Sequence, residues 1–246
     1  MAGLRIDRDG DILRVTLARP ERRNAFDAAL IAELSEAFAN VGDARAVVLA
    51  GEGESFCAGA DIEWQRSSID LSYDENVEDA MRLHRMCEEI DHCPAPVVAR
   101  VHGYALGGGS GLVACADIAI AAPDAVFGFA EVKLGIIPAV ISPFVLPKIG
   151  PHARRYFLTG ERFDAHTAVR IGLVHEVADD LDAAVEGVVD ELLTSGPNAV
   201  REAKRLIAAR PVGRQTAEIA AHLRAGDEGQ EGLRAFLEKR IPSWRR

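Results

Sequence analysis

The strongest fold signals of this chain lie in residues 97–131, VVARVHGYALGGGSGLVACADIAIAAPDAVFGFAE. The β-branched run at the start of this stretch predicts a buried strand, and the apolar segment over residues 110–115 predicts a helix. The three glycines at 107–109 lie between them. Because glycine has no Cβ, the backbone there can adopt a positive φ and approach a ligand closely. The first N–H groups of the helix lack intrahelical partners, so this turn is suited to binding an anionic oxygen.

Two interpretations compete for these glycines. A glycine-rich turn between a strand and a helix can hold a phosphate, but position 112 is Leu and no Lys-Ser/Thr pair follows. The spacing therefore matches neither GxGxxG nor GxxxxGK[ST], which argues against nucleotide binding of those kinds. The alternative is that the glycines only permit close packing of the helix.

A second turn of the same kind lies at residues 55–62, SFCAGADI, after a strand predicted over residues 46–50. Small residues again follow the strand, and Asp61 can cap a helix. Two backbone N–H groups that come from separate turns and point at one position form an oxyanion hole, which stabilises negative charge on a carbonyl oxygen.

With RPERRNAFD at residues 19–27 and ERFDAHTAVRIGLVHEV at 161–177, these two turns make the chain resemble the crotonase, or enoyl-CoA hydratase/isomerase, superfamily. The resemblance implies an α/β fold with a ββα spiral core that binds acyl-CoA thioesters. It also implies that the N–H groups of Ala60 and Gly108 hold the thioester oxygen. Coenzyme A would enter as part of the substrate, with no permanently bound cofactor.

The resemblance also implies which residues contact coenzyme A. The loop before the first helix would run beside the adenine and the phosphates, and the two strand-to-helix turns would complete the substrate site. For the arginines of this loop the alternative is a solvated basic surface. The predicted contacts are Arg22, Arg23, Asn24, Ala25, Ala58, Asp61, Ile62 and Gly107.

Glu131 is the predicted catalytic acid or base. Its apolar neighbours, among them Phe129 and Val132, predict desolvation that raises its pKa. The best-known hydratases of the superfamily hold water between two glutamates, and Glu131 matches one of them. The other would stand at position 111, where this chain has Gly, and Ala139 supplies no acid where some dienoyl isomerases carry one.

Three hypotheses follow for the reaction. The first is a hydratase in which Glu131 handles both proton steps, with a substrate carboxylate or an ordered water in place of the second acid. The second is a Δ3,Δ2-enoyl-CoA isomerase, which needs only one carboxylate. The third is a family member that binds acyl-CoA or a protein partner without turnover, which the intact motifs disfavour.

The stretches at 107–121 and 129–150 are closest to the methylglutaconyl-CoA hydratase group and its relatives that act on branched terpenoid acyl-CoAs. Some of these also carry Gly at the position of Gly111. If the substrate has a second carboxylate, the candidate cations are Lys133, Lys148 and Arg66.

Composition limits the partners. The chain has 246 residues, of which 48% are hydrophobic, and its formal net charge is −10, which argues against nucleic acid. The most apolar run, residues 104–122, contains four glycines and Asp117, so we predict a buried segment and no membrane span. We expect no leader peptide at the charged N-terminus. Buried, reduced thiols and a cytoplasmic location are predicted from the spacing of Cys57, Cys87, Cys93 and Cys115.

The remaining sequence divides into a core and a tail. An Asp-Gly turn predicts a hairpin over residues 4–18, and Asp27 predicts a helix to residue 40. Residues 63–78 show no clear periodicity and suggest a mobile lid. We predict a spiral core over 1–190 and a helical region over 191–246, which in relatives packs into trimers or hexamers. The His and Cys residues at 84–93 lack the spacing of a zinc site, so no metal is predicted.

Overall fold

The computed structural model describes residues 3–245, so residues 1, 2 and 246, the outermost residues of the two predicted units, lie outside it. A six-stranded sheet has the strand order β1-β2-β3-β4-β6-β9, and a three-stranded sheet has the order β5-β7-β8. The strands are β1 (Leu4–Asp9), β2 (Ile12–Leu17), β3 (Ala46–Gly51), β4 (Val97–Val101), β5 (Tyr104–Leu106), β6 (Ile118–Ala121), β7 (Val126–Gly128), β8 (Arg162–Asp164) and β9 (Glu176–Val177).

Helices cover both sheets and form the C-terminal region. They are α1 (Ala28–Ala39), α2 (Ile62–Ser67), α3 (Tyr73–Asp91), α4 (Gly108–Cys115), α5 (Ser142–Ile149), α6 (Ala153–Thr159), α7 (Ala165–Ile171), α8 (Leu181–Thr194), α9 (Pro197–Ala209), α10 (Arg214–Ala225) and α11 (Asp227–Glu238).

The chain passes repeatedly from the large sheet to the small one and then into a helix. Strand β4 of the large sheet leads through Gly103 to β5 of the small sheet, and α4 follows. The φ of Gly103 is +55°, and a Cβ there would lie 2.0 Å from the carbonyl oxygen of Glu54. In the preceding repeat of the chain, β3 leads to Cys57, which forms a parallel bridge with Ala105 of β5. This repeat of strand, strand and helix is the predicted spiral, and it confirms the predicted α/β class.

Several predicted elements are confirmed. Strands β1 and β2 form the antiparallel hairpin around Gly10. Helix α1 begins after Asp27, whose carboxylate accepts a hydrogen bond from the N–H of Leu30 at 3.0 Å. The predicted helical region over 191–246 contains the end of α8 and the helices α9, α10 and α11.

Residues 63–78, where the sequence shows no clear periodicity, form regular structure, and the mobile lid stays a prediction. These residues lie in α2, a short 3-10 turn at Ser68–Asp70 and the first turns of α3. Ser72 and Glu75 form a capping box, in which each side chain accepts a hydrogen bond from the other residue's backbone N–H. With this capping box, α3 begins at Tyr73. The last strand of the large sheet, β9, pairs with β6 only through Glu176 and Val177.

Helix α8 packs on the large sheet, where its Leu181, Val185 and Val189 join a buried cluster with strand residues such as Val48 and Val98. The predicted boundary at residue 190 therefore falls within α8, which continues to Thr194. The division into two units stays a prediction.

The C-terminal helices are joined to the core by polar contacts. Lys204 of α9 pairs with Asp117 at 2.7 Å, and the guanidinium of Arg45 donates to the carbonyl oxygens of Leu193, Ser195 and Trp244. All four cysteines are buried free thiols. Within residues 3–245, no helix is both long and apolar enough to cross a bilayer.

Candidate active site

The first predicted donor is the N–H of Ala60. Residue 60 forms a parallel bridge with Phe26, in which the N–H of Phe26 donates to Gly59 O and the N–H of Asp61 donates to Phe26 O, both at 2.9 Å. Because peptide groups alternate in direction along extended chain, the N–H of Ala60 points away from Phe26. It donates to no acceptor within residues 3–245, and Ala60 lines the cavity described below.

The second predicted donor is the N–H of Gly108, the first residue of α4. The helix leaves this N–H without an intrahelical acceptor, and no other acceptor lies within the described chain. The start of α4 is fixed by Ser110, whose hydroxyl donates to Ala105 O at 2.6 Å, and by the N–H of Gly107, which donates to Gly128 O at 2.8 Å.

The two turns pack so closely that only glycine fits at several positions. A Cβ on Gly59 would lie 2.8 Å from Leu106 O and 3.9 Å from the nitrogen of Gly108. A Cβ on Gly108 would lie 2.2 Å from Cζ of Phe26, and one on Gly109 would lie 2.2 Å from Cys57 O. The structure therefore brings the two turns together and confirms close packing, the second interpretation of the glycines, while their role in binding stays a prediction.

Glu131 lies on a 3-10 turn, Ala130–Leu134, directly after β7. Its Oε1 lies 3.2 Å from the position that a Cβ on Gly107 would occupy, so the carboxylate faces the turn that supplies the second donor. Its Oε2 is buried and has no hydrogen-bond partner within residues 3–245. Burial of this carboxylate raises the pKa of Glu131 above the usual value for glutamate. A buried carboxylate with an unused oxygen is suited to accepting a proton from a ligand.

Position 111 carries no acid, and the structure leaves no room for one. A Cβ on Gly111 would lie 2.5 Å from Cγ2 and 3.0 Å from Cβ of Ile141, which precedes α5. Ile141 is 2% exposed.

One cavity of about 440 Å³, called the central cavity below, is lined by Ala60, Gly108, Glu131 and Ile141. Its wall is mostly apolar, with Phe26, Leu106 and Ile141 among its members. The side chains of Gln65, Glu131 and Lys133 are the polar ones that line it within the described chain. Of the three candidate cations, only Lys133 lies here, since Lys148 lines a different cavity and Arg66 is exposed and paired with Glu63.

A second depression, called the surface groove below, adjoins the central cavity. Both share Ala58 and Ala60, so the groove meets the cavity at the first donor. Most of the predicted coenzyme A contacts line it, and Glu21 and Glu63 lie among them. These predicted contacts are Arg22, Arg23, Ala25, Ala58, Asp61 and Ile62.

Asp61 and Arg22 form an ion pair in the groove. Arg22 donates to the Asp61 carboxylate at 2.7 Å, and the same carboxylate caps α2 by accepting from the N–H of Glu63 at 2.9 Å. Burial alone would raise the pKa of Asp61, but these hydrogen bonds hold it below the usual value. The prediction that Asp61 caps a helix is confirmed.

Arg23 and Asn24 differ from each other in exposure. Both adopt positive φ, 51° and 54°. The Asn24 side chain is fully buried, where it donates to the carbonyl oxygens of Glu52 and Ser55 at 2.8 Å. Asn24 thus holds the loop, and its side chain is not open to a ligand in this conformation. Arg23 is exposed, and its guanidinium lies 5.7 Å from the ring centre of Tyr104.

Sequence reasoning missed Ile141 and Tyr104. Ile141 lies thirty positions beyond Gly111, and nothing local indicates that it fills the space beside that glycine. The Ser-Pro pair after Ile141 marks the start of α5 and was the available signal that this residue is held at a helix terminus.

Comparisons with known proteins agree with this geometry. The family model described as enoyl-CoA hydratase/isomerase matches residues 7–246. A putative enoyl-CoA hydratase of Thermus thermophilus is 33% identical over 245 residues, which cover 95% of this chain and 97% of that protein. A cyclohexa-1,5-dienecarbonyl-CoA hydratase of Thauera aromatica is 32% identical, with 97% and 95% covered. The crystal structure of an enoyl-CoA hydratase from Shewanella pealeana superimposes with a TM-score of 0.94 at 40% identity, covering 98% of this chain and 96% of that one.

Proposed function

The chain belongs to the enoyl-CoA hydratase/isomerase family, and from this premise we propose that it adds water reversibly to a 2-enoyl-CoA thioester with Glu131 as its one catalytic carboxylate. The enzyme class and the acyl-CoA substrate follow from the family. We propose which carboxylate acts, which N–H groups bind the thioester oxygen and which acyl group the substrate carries.

In the proposed reaction, the carboxylate of Glu131 takes a proton from water as the water oxygen bonds to C3. The electrons of the C2–C3 double bond move onto the thioester oxygen, where the N–H groups of Ala60 and Gly108 stabilise the enolate. Protonated Glu131 then returns a proton to C2, which completes the addition of H and OH.

One observation carries this proposal. A buried carboxylate oxygen with no partner in the described chain, on Glu131, shares a cavity with two N–H groups that also lack acceptors. Unsatisfied buried polar groups are costly in a folded protein, so their grouping in one cavity indicates a ligand that satisfies them.

Coenzyme A is proposed to lie along the surface groove, with its thioester at Ala60, where the groove meets the central cavity. We assign Arg23 of the groove to a phosphate, because no carboxylate within residues 3–245 pairs with its guanidinium, which lies 5.7 Å from the ring centre of Tyr104. Arg22 is already paired with Asp61. No permanently bound cofactor is proposed.

For the acyl group we propose a branched chain of the methylglutaconyl type. The apolar lining of the central cavity suits a branched hydrocarbon, and Lys133 at its edge could pair with a distal carboxylate. Neither Lys148 nor Arg66 is placed to do so.

The second candidate function is Δ3,Δ2-enoyl-CoA isomerisation, which Gly111 favours. Glu131 would take a proton from C2 and return it to C4, while the double bond moves from C3–C4 to C2–C3. This reaction needs no activated water and no second acid. A non-catalytic role is disfavoured, because it would not require a buried Glu131 oxygen that has no partner in the described part of the chain.

We also propose that the protein assembles as a homotrimer or a dimer of trimers. The C-terminal helices leave large apolar side chains uncovered, among them Ile207 on α9 and Phe236 and Leu237 on α11. Such side chains favour burial against another subunit. A cytoplasmic location remains a prediction that rests on the buried thiols.

Turnover in oxygen-18 water tests the reaction. Crotonyl-CoA, 3-methylglutaconyl-CoA and a 3-enoyl-CoA are supplied separately, and the products are identified by mass spectrometry. Labelled 3-hydroxyacyl product from a 2-enoyl substrate supports hydration, and the preferred substrate defines the acyl class. A double-bond shift in the 3-enoyl substrate without label anywhere would replace hydration by isomerisation.

A further inference from the structure

The contact between Gly111 and Ile141 has a consequence for reaction specificity. A Cβ at position 111 would lie 2.5 Å from Cγ2 of Ile141, a separation that real Cβ atoms do not tolerate. It would also lie 3.0 Å from the Cβ of Ile141, which is attached directly to the backbone. A change of rotamer at Ile141 therefore cannot make full room for a side chain at position 111.

Neither backbone is free to move away. Ile141 is the N-cap residue of α5, and its carbonyl oxygen accepts from the N–H groups of Phe144 and Val145, both at 3.1 Å. On the other side, α4 packs closely through Gly108 against Phe26 and through Gly109 against Cys57. The two helices thus hold the 111–141 contact from both directions.

Ile141 also lines the central cavity together with Glu131 and Gly108. We propose that Ile141 is a specificity-determining residue, which keeps the site to one carboxylate and thereby sets the balance between hydration and double-bond isomerisation. This inference rests on the proposed function. Proton transfer between C2 and C4 uses Glu131 alone, whereas hydration also requires that water be held and oriented beside C3.

The test is a double-variant cycle with Gly111→Glu, Ile141→Gly and the two combined. Glycine is acceptable at an N-cap, so Ile141→Gly keeps α5 able to form. Ile141→Val is the matched control, since valine keeps the Cβ and both γ carbons that block position 111. Two quantities are measured for each variant: the Tm, and the ratio of oxygen-18 hydration to isomerisation on paired 2-enoyl and 3-enoyl substrates.

Gly111→Glu alone should lower the Tm by about 5 °C or more, because it overpacks a buried contact. In the Ile141→Gly background, Gly111→Glu should lower the Tm by much less. In the Ile141→Val background, it should lower the Tm as much as it does in the wild type. The double variant should raise the ratio of hydration to isomerisation at least about tenfold over the wild type, as a second acid or base can contribute that much.

Three results would overturn the inference. One is a Gly111→Glu protein as stable as the wild type, and another is equal relief from Ile141→Val. The third is a double variant that folds and keeps the wild-type reaction ratio, since a purely structural role for Ile141 leaves that ratio unchanged. If the wild type turns over neither substrate, the proposed function fails, and the stability cycle still reports whether Ile141 excludes a side chain at 111.

Discussion

The central cavity and the surface groove meet at Ala58 and Ala60 but are built in different ways. Around the cavity, glycines pack so closely that a Cβ at Gly108 or Gly109 would lie 2.2 Å from a neighbouring atom, and the buried Oε2 of Glu131 has no hydrogen-bond partner within residues 3–245. The groove is lined by exposed arginines, of which Arg22 is paired with Asp61. The groups proposed for chemistry are therefore held by close packing, whereas Arg23, the cation proposed for binding, is exposed and lies 5.7 Å from the ring centre of Tyr104.

The largest loss of catalytic activity is expected from a substitution at Glu131. Glu131→Gln keeps the shape of the side chain but removes the base, so kcat should fall about 10³-fold. Binding of a coenzyme A thioester should stay within a few-fold of the wild type, because the groove is unchanged. Steady-state kinetics and calorimetry measure the two quantities. The Tm should not fall, since the variant removes a desolvated charge. Turnover near the wild-type rate would exclude Glu131 as the base.

Removal of the Ala60 donor should have the next largest effect. Incorporation of lactic acid at position 60 replaces the amide by an ester, which deletes this N–H and weakens Gly59 O as the acceptor for the N–H of Phe26. Loss of one oxyanion donor should lower kcat about 10²-fold. The same replacement at Ala165, the first residue of α7, is the control for a general effect of the ester, because its N–H also has no acceptor within its own helix. A kcat that falls equally at both positions would contradict the assignment of Ala60.

A smaller effect is expected in the groove. Arg23→Ala should raise the KM for a coenzyme A thioester about tenfold, the value of one charge-assisted hydrogen bond of about 1.4 kcal/mol. The KM for the corresponding pantetheine thioester, which lacks the nucleotide, should be unchanged. Arg23→Lys, which keeps the charge, should recover part of the loss. An equal change for both thioesters would mean that Arg23 acts on the loop and not on a phosphate.

The smallest predicted effect is a displaced pH profile. Glu131 must be ionised to act as a base, and burial raises its pKa, so kcat/KM should fall with decreasing pH at a higher pH than for an exposed glutamate. By linkage, a group whose pKa is raised in the folded state lowers the free energy of unfolding as the pH rises from its unfolded-state pKa to its folded-state pKa. Glu131→Gln should therefore flatten that part of the stability profile. An activity profile that stays flat to about pH 4.3, the ordinary value for glutamate, would contradict the raised pKa.

The sequence predicted the parts of this site that depend on local signals. Asp27 marked the start of α1, the glycines marked α4, and the apolar neighbours of Glu131 predicted its raised pKa. The three strands of the small sheet have only three residues each, too short for a period of two to be recognised.

Contacts between distant parts of the chain were not predictable. The pairing of Arg22 with Asp61, the burial of Asn24 and the filling of the space beside Gly111 by Ile141 each join residues that lie about 30 or more positions apart. No local pattern encodes which side chain meets which across such a distance, because that depends on how the sheets and helices pack.

The most direct test of the account is hydrogen exchange at C2 of a saturated acyl-CoA, such as butyryl-CoA, in deuterium oxide. It requires only that Glu131 removes a proton from C2 while Ala60 and Gly108 hold the thioester oxygen, so it does not depend on whether water is added. Mass spectrometry should detect deuterium at C2 with the wild type, and none above background with Glu131→Gln that still binds the thioester. Exchange that continues at the wild-type rate in Glu131→Gln would contradict the account.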